Sequence, residues 1–383
     1  MQEQTPSRPL AIGFIGGALN SAVGYAHYAS CQMDNRWSVA AGCFSRHWDV
    51  NRDTGQAYGV APERVYHTWQ DMLQAEKGRL DAVVVLTPTP SHCGIVIPCL
   101  QQGFPTICEK ALGRTYDEAR SMVAAQAATQ GFLAVTYNYS GYPMVRELRD
   151  MIRRGVLGKL MHFQAEMQQE GFRRVDAHGH KPVPQSWRLS DGPIPTLYLD
   201  LAVHLHHLVH YLTDKRPLEV AADHDSYGWF NVVDNASCLC RYTDGVKGHI
   251  WFSKSALGHR NGLRIRIYGS EASAEWFQAN PEELLLSFGD GRRTTVDRAG
   301  SVAVANLPRY NRFKAGHPAG YIEAFANLYR DVADCLWQYQ ATGRWASDEV
   351  FGADLAAEGL GLLQAMALSS QSHTWQPVPT PAG

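Results

Sequence analysis

The stretch GFIGGALNSAVG, Gly13 to Gly24, decides the fold of this chain. An apolar run, Leu10 to Ile15, enters a tight glycine turn that opens into the helical pattern Ala22 to Met33. Such a turn lets a backbone approach a pyrophosphate, and the helix that starts there supplies N–H groups and positive potential. The usual G-x-G-x-x-G spacing is degraded: Gly16 holds the first place, Ala18 the second and Ser21 the third. Many sheets use glycine only to turn, so it is the position after the first strand that points to a phosphate-bearing cofactor. The candidates for contact with it are Gly16, Ala18, Leu19 and Asn20.

Outward from this turn, strand and helix alternate strictly. Trp37 to Phe44 reads as a second strand, followed by helices near Asp49 to Tyr58 and Trp69 to Ala75. Leu80 to Leu86, LDAVVVL, is a continuous apolar strand of the kind found where both faces of a parallel sheet are covered. Ser91 to Gln102 is helical, Thr106 to Cys108 a strand, Tyr116 to Gln130 a helix, and Phe132 to Tyr137 closes the unit. Strict alternation implies right-handed crossovers and a doubly wound α/β sheet.

Beyond Asn138 the grammar changes. A helix from Pro143 to Arg154 leads into strands near Met161 to Gln169, Ala236 to Tyr242, Gly248 to Ser253, Leu263 to Tyr268, Ala274 to Phe277 and Glu283 to Phe288. TDG at Thr243 and GDG at Gly289 are turn signals between strands. This is an α+β pattern: an open, mostly antiparallel sheet flanked by helices, with closing helices near Gly320 to Gln338 and Asp348 to Ser370. The chain therefore divides into a dinucleotide-binding domain, 1–138, and a substrate-binding and oligomerisation domain, 139–383. A length of 383 residues, too great for one core, agrees with two. The Pro-rich tail QPVPTPAG is expected to be loose.

A net charge of −2 with 45% hydrophobic residues gives no nucleic-acid face and no membrane surface. The start, MQEQTPSRPL, is polar, and no apolar run is long enough to span a bilayer. The eight cysteines form no CxxC pair and sit in apolar segments, which reads as reduced core thiols of a cytoplasmic protein. Cys238 and Cys240 share one face of a strand, but no second ligand pair accompanies them, so no metal is expected.

The second strand ends in Phe44, Ser45 and Arg46, where an acid would usually read a ribose. Ser45 can bond a ribose hydroxyl, and Arg46 can stack on adenine or pair with a 2′-phosphate, which leans the cofactor NAD(P) toward NADP without excluding NAD. A solvated loop arginine is the bland alternative. TPTPSH places Thr87, Pro88 and His92 at a strand's carboxyl end, where doubly wound sheets keep their ligands. His92 either caps the next helix or faces the nicotinamide side. CEKALG brings Glu109 and Lys110 to the next carboxyl end. An ammonium there can orient a substrate hydroxyl and stabilise negative charge developing on oxygen, and Glu109 holds the loop or a ribose. An exposed Glu–Lys pair is the alternative.

In YLDLAVHLHH, Tyr198 to His207, Asp200 and His204 stand four apart, on one face if the segment is helical. A neutral imidazole beside a carboxylate can take a proton from a sugar hydroxyl near neutral pH. The same spacing also suits helix-surface or satisfied core groups. GFRRVDAHGHKPVPQSWR, Gly171 to Arg188, concentrates Arg173, Arg174, His178, His180, Lys181 and Arg188, a set that could bind an anionic sugar or simply be a solvated loop or oligomer contact. Trp187 is a candidate to stack on a pyranose face or a core residue.

Taken together, these segments resemble the glucose-fructose oxidoreductase/inositol dehydrogenase/MocA (Gfo/Idh/MocA) family over nearly the whole length. The resemblance rests on the glycine turn, TPTPSH, EKA, VTYNYSGYP followed by RGVLGK, DLAVHLHH and GHPAGYIEAFANLYRD. It implies a Rossmann dinucleotide domain followed by an open-faced sheet domain, with Lys110, Asp200 and His204 as catalytic residues. It also implies dimers or tetramers through the sheet face, with Tyr137, Asn138, Tyr139, His317 and Tyr321 as cleft residues; Asn138 is assigned to the cofactor, and Tyr139, His317 and Tyr321 to the substrate. Where the family usually shows Glu-Lys-Pro and Asp-x-Gly-x-His-x-x-Asp, this chain has Ala111, Ala202 and, at the last position, His207. A hydroxyl usually held by that aspartate is then held differently.

The function implied is hydride transfer between nicotinamide and a carbinol carbon of a sugar, sugar derivative or cyclitol, with Lys110 and His204 in acid/base roles. A glycoside hydrolase that uses resident NAD in an oxidation–elimination–hydration–reduction cycle stays open, as does a non-catalytic sugar- or dinucleotide-binding protein.

Overall fold

The computed structural model describes residues 8–379. The polar start up to Ser7 and the last four residues of the tail lie outside the described residues. The chain divides into two units, the first formed by the residues up to Gly113, Asp117–Asn138 and Tyr321–Asp354. The second takes Arg114–Tyr116, Tyr139–Gly320 and the chain from Leu355 on.

The first unit alternates as its sequence implies: β1 (Leu10–Gly16), α1 (Gly24–Met33), β2 (Trp37–Cys43), α2 (Trp48–Ala57), α3 (Trp69–Ala75) and β3 (Ala82–Leu86). Then come α4 (His92–Gln101), β4 (Thr106–Cys108), α5 (Tyr116–Thr129) and β5 (Leu133–Val135). Helix α1 starts at Gly24 rather than Ala22, and ahead of it the Ser21 hydroxyl accepts from the Gly24 N–H at 2.7 Å. Every residue of β3 is buried, as expected for an interior parallel strand. Strands β1 to β5 are parallel in the order β5-β4-β3-β1-β2. The order reverses between β1 and β3, and a doubly wound sheet places its ligand crevice at that switch point.

The second unit begins with α6 (Pro143–Arg153) and β6 (Leu160–Gln168). It continues through α7 (Val203–Thr213), β7 (Pro217–Asp225), β8 (Asn235–Tyr242), β9 (Lys247–Ser253), β10 (Arg264–Gly269), β11 (Ala272–Phe277), β12 (Asn280–Phe288) and β13 (Arg293–Asp297). The chain then returns to the first unit with α8 (Tyr321–Thr342) and β14 (Phe351–Gly352). It ends in the second with all but the first two residues of α9 (Ala353–Ser372), followed by β15 (Gln376–Pro377).

In the first unit α8 lies along α1, and its Phe325, Leu328, Val332 and Leu336 join Ile12, Phe14 and Val84 in one core. Strand β14 adds an antiparallel edge beside β5. In the second unit nine strands run in the order β13-β12-β11-β10-β6-β9-β8-β7-β15. Neighbours are antiparallel except β6 and β9, which are parallel. Phe163, Ala165, Ile250, Phe252, Ile265 and Trp276 form the buried face, and α6 and α7 pack on the sheet. The other face carries His162, Gln164, Glu166, His249, Trp251 and Arg266, with Arg266 paired to Glu166 at 2.8 Å and Glu275 at 3.2 Å.

The described part of the tail departs from its expected looseness. Gln376 and Pro377 pair with β7, and the Val378 N–H donates to the Leu218 carbonyl at 2.8 Å. Pro377 sits on an edge strand, where its missing donor costs nothing.

Candidate active site

Gly16 ends β1 opposite Leu86 of β3, at the switch point. Its φ is +86°, and a Cβ there would lie 2.8 Å from the Leu86 carbonyl carbon, so both backbone conformation and space demand glycine. A Cβ on Gly24 would collide with the Gly17 carbonyl oxygen; this glycine lets α1 start directly against the turn. Ala18 is buried, whereas Leu19 and Asn20 are exposed on the turn. The Tyr58 hydroxyl donates to the Gly17 carbonyl at 3.2 Å and its ring stacks on Tyr28 at 4.1 Å, which stiffens the turn from the α2 side.

After β2, Asn51 fastens the loop: its Oδ1 accepts from Phe44 N at 2.7 Å and its amide donates to the Tyr66 carbonyl at 2.7 Å. The Ser45 hydroxyl accepts from His47 N at 3.1 Å. Arg46 is exposed and makes no ion pair among the described residues. Beyond β3, Thr87 is half-buried, Pro88 exposed, and the Thr87 hydroxyl accepts from Ser91 at 2.8 Å. His92 is fully buried. Its Nδ1 lies 2.8 Å from the Ala111 carbonyl and its Nε2 2.7 Å from the Thr87 carbonyl. Burial pulls its pKa below the ordinary imidazole value although both carbonyls and Glu109 oppose the shift. The ring therefore ties the β3 loop to the β4 loop.

Glu109 and the half-buried Lys110 follow β4, and the Lys110–Ala111 peptide is cis. Thr136 donates to the Glu109 carboxylate, and His27 Nε2 of α1 lies 3.3 Å from it. His27 Nδ1 in turn lies 2.8 Å from the Tyr329 hydroxyl on α8. Burial pushes the Glu109 carboxyl up, but His27, Lys110 and Thr136 outweigh it and hold it below its ordinary value. Asn138, beyond β5, is 1% exposed, and its Nδ2 has no hydrogen-bond partner among the described residues. A buried amide donor without an acceptor at one strand's carboxyl end, on a sheet whose switch-point turn requires glycine, fits a phosphate- and ribose-bearing cofactor.

In the second unit, Tyr198–Ala202 forms a π turn that runs into α7. The Asp200/His204 pair thus spans a junction between two helical pitches rather than one face of a regular α-helix. Such single-turn widenings recur at functional sites because they re-aim side chains. Asp200 Oδ2 accepts from Arg188 Nη1 and from Lys254 Nζ, the latter at 2.5 Å. His204 is 6% exposed and meets the Tyr139 ring edge-on, with centroids 4.8 Å apart. His207 is fully buried in α7 beside Tyr211, and burial with neighbouring cations pushes its pKa well below the ordinary value.

The basic run does not gather into one anion pocket. Arg173 donates to the Tyr227 carbonyl at 3.2 Å, Arg174 lies 3.4 Å from Glu170, and His180 lies 3.0 Å from Asp176. Arg173 and Lys181 both face the Trp229 ring at 4.6 Å. Arg188 alone reaches Asp200, with its guanidinium 4.6 Å over Trp187. His317 is exposed against Phe313, and Tyr321, 39% exposed, opens α8 in the first unit.

Two polar groups were not legible as site residues. His27 sits on a buried α1 face of small residues, Gly24, Ser30 and Cys31, with nothing to mark it. Lys254 did leave a signal: it follows the apolar strand HIWFS directly, much as Lys110 follows TIC after one intervening residue, a cation at a strand's carboxyl end. All eight cysteines are free thiols, seven of them buried. No helix among the described residues is long and apolar enough to cross a membrane.

A doubly wound unit with a glycine turn at its switch point, joined to a sheet unit carrying an Asp/His pair, defines the class of two-domain dinucleotide-binding oxidoreductases. Residues 10–137 match the oxidoreductase family with an NAD-binding Rossmann fold, and residues 145–275 match the GFO/IDH/MocA C-terminal domain. The chain belongs to the Gfo/Idh/MocA family. It is 31% identical over 340 residues to the uncharacterized oxidoreductase YfiI of Bacillus subtilis, covering 86% of each chain. It is 25% identical over 255 residues to the levoglucosan dehydrogenase of Pseudarthrobacter phenanthrenivorans, covering 60% of this chain and 63% of that protein. Among solved structures, an inositol dehydrogenase homolog from Azotobacter vinelandii, complexed with NADH and myo-inositol, superposes with a TM-score of 0.87. Identity to it is 26%, over 97% of this chain and 98% of the other.

Proposed function

We propose that this protein transfers a hydride between the nicotinamide of NAD(P) and a carbinol carbon of a sugar, sugar derivative or cyclitol. The observation that carries this reading is the full-length likeness to a structure holding NADH and myo-inositol, in a chain that carries Lys110, Asp200 and His204. When bound, the nicotinamide supplies the hydride chemistry. Gly16, Leu19 and Asn20 hold the pyrophosphate at the start of α1, with Ala18 shaping the turn. Ser45 and Arg46 hold the adenosine ribose, and Asn138 donates its amide to the cofactor. The exposed Arg46 guanidinium suits a 2′-phosphate and favours NADP. His204 takes the hydroxyl proton in oxidation and returns it in reduction, Lys110 polarises the reacting oxygen, and Asp200 receives a neighbouring hydroxyl. The outer face of the nine-stranded sheet is the surface for a homodimer or homotetramer.

The test is a panel of inositols, aldoses, uronates and glycosides, each with NAD⁺ and with NADP⁺, following reduced-nicotinamide absorbance and product release together. Stoichiometric reduction with a polyol, faster with NADP⁺, is the expected result. Aglycone release with no net absorbance change would replace this reading by the glycosidase cycle, and cofactor binding without any turnover would leave only a binding protein.

A further inference from the structure

Among the described contacts, Asp200 is held from outside its own helix by Lys254 and Arg188, cations of different stiffness. Lys254 is 5% exposed and follows directly on β9. Its N–H donates to the Asp234 carbonyl at 2.7 Å and its carbonyl accepts from Phe172 N at 2.7 Å. The ammonium lies 5.0 Å from the Phe172 ring centroid before it reaches Asp200. Asp234 is itself buried and accepts from Tyr227 N at 3.0 Å and Ser255 Oγ at 2.9 Å. Lys254 thus projects from an anchored strand end. Arg188 sits in the short turn Ser186–Leu189, none of whose residues is buried, in a largely exposed loop. Both cations fall on the same carboxylate oxygen, Oδ2, which fixes the rotation of the group as well as its charge.

A buried ammonium–carboxylate pair is a poor stability device, because desolvation cancels most of its attraction and a well-packed apolar pair serves as well. Its worth lies in orientation. We infer that Lys254 is a positioning residue that aims the Asp200 carboxylate for the reaction, with Arg188 as the secondary, yielding partner. This rests on the role of Asp200 in the proposed function. It makes the strand end at Lys254 part of the site in the second unit, although it lies 54 residues from Asp200.

The experiment compares wild type, Lys254→Met, Lys254→Arg, Asp200→Asn and the Lys254→Met/Asp200→Asn double variant. It measures kcat and KM on a polyol the wild type oxidises, and the thermal midpoint of every protein. Lys254→Met is expected to lower kcat 10- to 100-fold with the dinucleotide KM unchanged, and Lys254→Arg to recover part of that loss. In the Asp200→Asn background the same Met substitution should change kcat less than twofold, since the group it orients is gone. Wild-type kcat in Lys254→Met, or equal losses in both backgrounds, would overturn the inference. If the wild type oxidises no polyol, the proposed function fails on its own, and the thermal midpoints decide the pairing. Lys254→Met must then lower the midpoint beside Asp200 and not beside Asn; equal shifts in both backgrounds reject it.

Discussion

At the scale of single residues, the sequence discloses a functional side chain when its element places it without help from elsewhere. The place of Lys110 was legible because it follows closely on an apolar strand's carboxyl end, whatever the rest of the chain does. His92 was legible as a residue beyond the β3 carboxyl end but not in its role: it opens α4, and both ring nitrogens meet backbone carbonyls of two different loops, a pairing that depends on where β3 and β4 end. The partners of Glu109 come from α1, β5 and, through His27, α8, and no local pattern announces a contact across 302 residues between His27 and Tyr329. The assignments of Lys110 and His204 are separable from cofactor binding. Lys110→Ala and His204→Ala are each expected to lower kcat by about 10²–10⁴-fold, the usual range for a lost acid/base or polarising group. Dinucleotide Kd, read by fluorescence quenching, should stay within about twofold, because neither side chain belongs to the glycine turn. Unchanged turnover in either variant would remove that residue from the mechanism.

At the scale of elements, the doubly wound half was legible nearly to the residue, since apolar strands with both faces covered cannot be mistaken for helix once glycine and capping signals bracket them. The sheet of the second unit was legible only where one face is buried. Strand β13, RTTVD, has no buried residue, and β7 buries only Pro217 and Val220 fully, so neither shows the alternation that betrays a strand. The segment of α7 was read only for its Asp200/His204 spacing, as a helix on condition, and not as a reservoir of buried imidazoles. Burial holds His206 neutral and pulls its pKa down to about 4; His210 adds repulsion, and Glu358, 3.5 Å away, offsets only part of the shift. His207 is lowered further, by burial and by His210, His206, His204 and Arg149. In the unfolded chain both rings protonate near ~6.5. For His206, between that pH and about 4 the unfolded state therefore binds more protons, so stability falls as pH is lowered, and the depressed His207 acts in the same direction. Scanning calorimetry should show Tm dropping through this window, with a shallower drop in His206→Gln, whose amide does not titrate. Parallel Tm curves for the two proteins would contradict the account.

At the scale of the whole molecule, the chain visits its first unit twice, and this return was hidden from the sequence. The stripe Phe325, Leu328, Val332 and Leu336 announces an amphipathic helix but not the surface it covers; only α1 and the strands beneath it supply that surface. The outer face of the second unit's sheet poses the complementary problem, a surface still offered to a partner. Its strands place Met161 and Leu239, 47% and 55% exposed, around an open groove that also exposes Lys159, His162 and His249. Two copies meeting on this face would bury those apolar side chains, while the Arg266 ladder to Glu166 and Glu275 keeps its charges paired within each copy. A carboxylate introduced at either apolar position would then be buried without a partner, a cost of a few kcal/mol that amounts to about 100-fold in Kd. Sedimentation of the wild type should report a dimer or tetramer, and Met161→Asp and Leu239→Asp should shift it toward single chains without changing the helix and strand content read by circular dichroism. A wild type that sediments as a single chain, or variants that keep its assembly, would move the interface off this face.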